Sequence, residues 1–194
     1  MAKFLRRTPG QENDPAGEFL KDLDLSGPED AGLPPREAAR KIFERLGLIQ
    51  SRAKKLRLLQ EAGRLQAEWP TLLFVELLAD PIEEIRDLAV RELIERRDVP
   101  LDELCLRLGR PPWFAKCAAL RVLAAKKSAP TAKSVRAVVE DPNAEVRKTA
   151  AAALGEIGGR EARSLLVRLS RDANAYVRAA AVEALDKICD FKFS

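Results

Sequence analysis

Asp141-Pro142-Asn143-Ala144-Glu145-Val146-Arg147-Lys148-Thr149-Ala150 returns 31 residues later as Asp172-Ala173-Asn174-Ala175-Tyr176-Val177-Arg178-Ala179-Ala180-Ala181. Thirty-one residues before Arg147 stands Lys116, behind Pro111-Pro112-Trp113-Phe114-Ala115. Thirty before that stands Arg86, behind Asp80-Pro81-Ile82-Glu83-Glu84-Ile85. Three residues past each basic residue comes an alanine (Ala89, Ala119, Ala150, Ala181), and four further a leucine (Leu93, Leu123, Leu154, Leu185). Self-similarity at a fixed period near 31 marks stacked repeats whose single units are too small to bury their own apolar faces. A fainter fifth copy, beginning near residue 49, puts Lys55 in the basic slot.

Each column has a physical reason. Asp80, Asp141 and Asp172 are expected to open helices, where a carboxylate accepts from orphan N–H groups and suits the positive end of the helix dipole. Pro81 and Pro142 are expected at the first helical position, where a missing N–H costs nothing. The alanine column allows neighbouring helices to approach, and the leucine column fills the space between them. Gly155, Gly158 and Gly159 are expected to make turns. Shorter amphipathic runs, Leu72–Leu78, Leu101–Leu108, Ala132–Val139 and Ala162–Leu169, lie between the motif helices. The unit is therefore helix–turn–helix, and no strand alternation persists after residue 36.

The pattern D-P-x-x-x-V-R-x-x-A-x-x-A-L-G at Asp141–Gly155 resembles the short bacterial HEAT-like repeats, the type also found in phycobilin lyases. The resemblance covers roughly residues 49–190. It implies an all-α fold: a right-handed α-solenoid of four to five helix pairs, with the second helix of each pair lining the concave face. It also implies a ladder in which the basic residue after Val pairs with the Asp of a neighbouring repeat. Asp80, Arg86, Lys116, Asp141, Arg147, Asp172 and Arg178 are its members here. The second repeat departs from the pattern, because Arg110 stands for the Asp and Lys116 for the Arg. The ladder is expected to be broken or repelled at that joint.

Residues 1–35 read differently. Pro9, Gly10, Pro15, Gly17, Gly27, Pro28, Gly32, Pro34 and Pro35 interrupt any helical period. The reading is an irregular or flexible arm over 1–35, with Phe19, Leu20 and Leu23 as an apolar island, followed by the solenoid over 36–194. At the other end, Phe191 and Phe193 lie beyond the last repeat, where a polar cap is expected. The 194 residues contain no histidine, which removes histidine-based triads, metal sites and proton shuttles. Cys105, Cys117 and Cys189 have no C-x-x-C spacing and read as core fillers in a reducing compartment. No apolar stretch approaches the roughly 20 residues of a membrane span, and no signal-peptide core follows the first residues. The expected setting is the cytoplasm, with no membrane, metal or cofactor partner. The net charge of +4 is modest.

No phosphate-binding loop or nucleophile motif occurs, and the acidic pairs Glu83-Glu84 and Asp102-Glu103 read as a solvated surface. The function class this leaves is a non-catalytic adaptor, scaffold or assembly factor that binds a protein or peptide, an acidic one included, on the concave face. The candidate contact residues there are Arg91, Trp113, Arg121, Lys148, Tyr176 and Glu183. Trp113 and Tyr176 are large aromatics in slots that are otherwise small or charged, which suits anchors. The alternative is nucleic-acid binding. Residues 80–109 carry five positive and nine negative side chains, whereas residues 110–140 carry seven and one. The second block (Arg110, Lys116, Arg121, Lys126, Lys127, Lys133, Arg136) would be the phosphate-facing patch. A lyase-type enzyme or enzyme subunit is the third reading.

Overall fold

Helix is the only regular structure adopted by the described residues, as apolar side chains at 3- and 4-residue spacing predict. The computed structural model describes Phe19, Lys21, Leu23 and residues 32–65, 67–127 and 131–190, with backbone alone for Thr131, Cys189 and Asp190. The expectations for Phe191 and Phe193, and for most of the 1–35 arm, lie outside the described residues. The chain divides into two compact units, residues 1–77 and 78–194.

The first unit holds α1 (Pro35–Gly47), α2 (Arg52–Arg64) and α3 (Trp69–Leu77). Pro35 opens α1, where its fixed φ suits the first turn. Ser51 caps α2 by accepting from the Lys54 N–H at 3.3 Å. Trp69-Pro70, which the apolar pattern suggests as a stop after α2, instead starts α3, since proline is tolerated in a first turn. Seven of the nine residues of α3 are buried, so it is the core of this unit. α1 lays Ala38, Ala39, Ile42 and Leu46 inward and packs on α3. Phe19 stacks on Trp69 with ring centroids 5.4 Å apart, and Leu23 is buried as well. This part of the apolar island in the arm is thus built into the first unit.

The second unit holds α4 (Glu83–Glu95), α5 (Leu101–Arg107), α6 (Trp113–Lys126), α7 (Thr131–Val135, continued by a 3-10 turn over Arg136–Val138), α8 (Ala144–Ile157), α9 (Gly159–Leu169) and α10 (Ala175–Asp190). The longer helices α4, α6, α8 and α10 pack in succession, and the shorter α5, α7 and α9 form a second layer. The alanine column meets between layers: Ala89, Ala119, Ala150 and Ala181 are fully buried. Leu93, Leu123 and Leu154 are fully buried too, while Leu185 is half-buried.

Two details correct the sequence reading. The ladder aspartates lie ahead of the helices and make turns, each Oδ1 accepting from the N–H two residues on: Ile82 at 2.8 Å for Asp80, Asn143 at 2.9 Å for Asp141, Asn174 at 2.8 Å for Asp172. The helix cap falls to the next polar residue. Asn143 accepts from Glu145 N–H at 2.8 Å, and Asn174 from Tyr176 N–H at 2.9 Å. Pro81 and Pro142 therefore sit inside the turn, before the cap, where their fixed φ favours the bend. Gly155 is the second correction. It lies within α8, and a Cβ added there would sit 2.8 Å from the Ala184 Cβ, so its role is close approach to α10. Gly158 and Gly159, with φ of 68° and 88°, do make the turn into α9.

Candidate interaction face and ladder

The ladder is a repeated guanidinium pose. In Arg147, Nη1 donates to the Asp141 and Pro142 carbonyls at 2.8 and 3.3 Å, which leaves Nε and Nη2 to reach the next repeat. Those two atoms take both Asp172 carboxylate oxygens, at 2.8 and 2.9 Å. This bidentate, charge-assisted contact holds the Asp172 carboxyl below the usual carboxylate range, with the Asn174 N–H helping and burial opposing. The same hydrogen bond raises Arg147. Lys116 reaches Asp141 at 2.7 Å, so this rung survives the replacement of arginine by lysine.

Arg86 keeps the pose, with Nη1 on the Asp80 and Pro81 carbonyls at 2.8 and 2.9 Å. No acid stands at position 110. Instead the guanidinium lies over the Phe114 ring, 4.5 Å from its centroid. A cation–π contact thus fills the place of the missing ion pair, while Arg110 is exposed. Arg178 has the same two carbonyl contacts, to Asp172 and Ala173 at 2.8 and 2.9 Å.

The layer of longer helices, α4, α6, α8 and α10, presents side chains spaced three and four apart along each helix. Asp87, Arg91 and Glu95 come from α4, Cys117 and Arg121 from α6, Glu145, Lys148, Ala152 and Glu156 from α8, and Tyr176, Ala179, Glu183 and Lys187 from α10; all are exposed or half-exposed. All six candidate contact residues belong to this layer. Arg121 pairs with Asp87 of α4 at 2.6 Å. Lys148 pairs with Glu145 at 3.2 Å, and Glu183 with Lys187 at 3.3 Å. Arg91 is exposed on α4. Trp113 and Tyr176 begin α6 and α10, the helices on either side of α8, and are 47% and 76% exposed. Trp113 meets Phe114 edge-on, with centroids 5.9 Å apart. Cys117 is half-buried rather than a core residue, and so is Cys105. Burial pushes the Cys117 thiol up, against a hydrogen bond with Thr149 of α8.

The basic block is engaged within the protein. Lys116 and Arg121 hold the acids just named. Lys126 donates to the carbonyls of Ile94, at 2.8 Å, and Arg96, capping the end of α4, and burial lowers its pKa. Lys127 lies 4.0 Å from Glu156, and Arg136 lies 3.0 Å from Glu161. Arg110 and Lys133 are exposed. Five of the seven basic residues thus contact neighbouring repeats, though among the described residues only Arg121 pairs with an acid of the 80–109 block.

On the loop edge, an open cleft of about 690 Å³ is lined by Val139, Glu140, Asp141, Pro142, Arg147, Ser164, Val167, Arg168, Leu169, Arg171, Asp172 and Ala173. Four of its charges pair with one another, Arg147 with Asp172 and Arg168 with Glu140. Asp141 and Asp172 each carry a cation and a turn N–H, so the oxygens of both carboxylates are occupied. Among the described residues no group of three or more Cys, Asp or Glu could hold a metal, and no helix is long and apolar enough to cross a membrane.

Residues 101–186 match the sequence model of the HEAT repeats. That span covers α5 to α10 nearly to its end, the part of the second unit with the most regular ladder. A comparison with curated proteins gives no match.

Proposed function

We propose that these HEAT repeats form a non-catalytic protein-binding module, whose contact surface is the layer of longer helices between Trp113 and Tyr176. The observation that carries this reading is the exposure of Tyr176, 76% free of protein at the start of α10. An aromatic ring left in water next to Ala175 and Ala179 is costly in isolation and suits an anchor that a partner covers. Trp113 stands two helices away, roughly 16–20 Å at ordinary packing distances. That span fits an extended peptide or a helix lying across α8. The charges between the two aromatics are paired in advance, so the recognition favoured here is aromatic and apolar, and affinity depends weakly on salt.

The nucleic-acid alternative requires free cations. Most of the basic block is committed to acids and carbonyls of neighbouring repeats, and support for that alternative falls accordingly. Affinity capture from cells expressing the chain, with nuclease-treated and untreated lysates, tests the reading. Wild type is expected to retain a protein that survives nuclease, and Trp113→Ala/Tyr176→Ala to lose it at least tenfold with an unchanged melting curve. Capture of nucleic acid that nuclease abolishes, or retention of the protein by the double variant, overturns it.

A further inference from the structure

One side of α10 carries a specific pattern. In the earlier repeats the slot after the alanine column is closed: Val90, Leu120 and Ala151 are 1%, 0% and 0% exposed. Its counterpart on α10, Val182, is 50% exposed. Arg178 lies on the same side, four residues earlier. Its Nη1 is anchored on two carbonyls, five and six residues back along the chain, as in Arg147. Among the described residues no carboxylate forms an ion pair with its remaining donor edge. Asp186, four residues after Val182, is exposed on this side too. This side presents an apolar residue centred between a pre-oriented cation and an anion.

That arrangement is its own complement. Val182 is the midpoint of Arg178 and Asp186, which stand about 12 Å apart along the helix. A second α10 laid antiparallel, with Val182 on the two-fold axis, puts each arginine opposite the other copy's aspartate. Ala175 and Ala179 are small enough for the two helices to close to about 8 Å. We propose that this face joins two copies of the chain through an isologous α10–α10 contact, with Val182 at its centre and two Arg178–Asp186 pairs around it. Arg178 makes across this contact the kind of ion pair that Arg147 makes within the chain. The contact is centred on Arg178, Val182 and Asp186, none of which belongs to the Trp113–Tyr176 face; Ala179 borders both, and the charge variants leave Trp113 and Tyr176 in place, so the test does not depend on the binding reading.

A contact centred on one helix from each copy falls below about 1,200 Å², the weak class of interfaces. Sedimentation equilibrium of the full chain up to about 100 µM covers that class. The expected mass rises from the 21.5 kDa of one chain towards twice that value. Arg178→Glu and Asp186→Arg are each expected to weaken self-association at least tenfold. An equimolar mixture of the two variants restores both opposite-charge pairs, and is expected to associate within about threefold of wild type. Melting curves of the single variants establish that they are folded, and Asp186→Arg changes only an exposed side chain. Wild type at one-chain mass throughout, or a mixture no stronger than its separate components, overturns the proposal.

Discussion

The joint between α4 and α6 and the joint between α8 and α10 occupy the same register of the repeat, yet they are held differently. At the first, Arg86 lies on Phe114, Arg121 reaches back to Asp87, and Lys126 caps the end of α4. At the second, Arg147 grips Asp172 with both remaining nitrogens. The residues at the lower end differ in size as well. Ile94 and Val122 occupy at the first joint the positions of Gly155 and Ala184 at the second, with Ala124 and Ala153 between them in the series. One joint closes by backbone approach and a bidentate ion pair, the other by larger side chains and contacts spread along the helices. A repeat thus keeps the direction of a side chain more strictly than the chemistry it meets.

The sharpest way to break this contrast is to fill the closest approach. Gly155→Leu places a Cβ 2.8 Å from Ala184 Cβ and 3.1 Å from its Cα, where backbone must move. Helix propensity alone favours the substitution by up to about 1 kcal/mol. The net expectation is nevertheless a loss of about 1–3 kcal/mol from overpacking, read from urea denaturation. Ile94→Ala at the matching position of the first joint is expected to cost under about 1 kcal/mol, because its side chain is already 39% exposed. Equal effects at the two positions would show that the joints do not differ in how closely their backbones pack.

The ion pair gives the next largest effect and adds a dependence on pH. Asp172→Asn keeps an oxygen for the Asn174 N–H but loses the charge facing Arg147, at an expected cost of about 1–2 kcal/mol at neutral pH. In the folded protein, the Arg147 hydrogen bond holds the Asp172 carboxyl below its ordinary value. Its stabilisation is thus complete above about pH 4, the unfolded value, and is lost as pH falls through the lower folded value. Denaturation midpoints of wild type and Asp172→Asn should converge as pH falls below about 4, the ordinary carboxylate value. Midpoints that stay parallel over that range would mean that the pair contributes through geometry alone.

The alanine and leucine columns were legible because burial at a repeat joint demands small and branched apolar residues at fixed intervals. Ala89 through Ala181 answer that demand without exception, whereas Leu185, on the last helix, answers it by half. The HEAT resemblance, drawn from residues 141–155, is met by a family match over residues 101–186. Other features depend on three-dimensional neighbours that spacing does not encode. Gly155 reads as a turn former from its neighbours Gly158 and Gly159, and only Ala184, 29 residues on, reveals its packing role. The basic block reads as a patch because a linear charge count cannot show that Arg121 faces Asp87, 34 residues earlier, or that Lys126 caps α4. The exposure of Tyr176 was legible by contrast within a column: it stands where the acids Glu84 and Glu145 stand in two other repeats, whereas Phe114 in the same slot is half-buried against Arg86.

The smallest effect bears most directly on what Phe114 does. If the ring merely fills a place left by a lost aspartate, restoring the acid with Arg110→Asp should rebuild the rung and add about 1 kcal/mol or more, as a charge-assisted hydrogen bond would. If the ring is the established partner of Arg86, a new carboxylate must compete with a guanidinium already seated 4.5 Å from an aromatic centroid. The loop also differs, since Pro111 and Pro112 follow position 110 where Pro142 and Asn143 follow Asp141. That loop has no asparagine to cap the helix after the turn, and Pro112 has no N–H to donate to an aspartate two residues before it. The turn that orients Asp141 therefore cannot form around an aspartate introduced at position 110, and the new carboxylate is left exposed. The expected change in the urea midpoint is accordingly within about 0.5 kcal/mol of zero, the usual range for a surface substitution. A gain beyond about 1 kcal/mol, the worth of a restored charge-assisted bond, would make the two joints variants of one ion-pair design, with Phe114 only a placeholder between them.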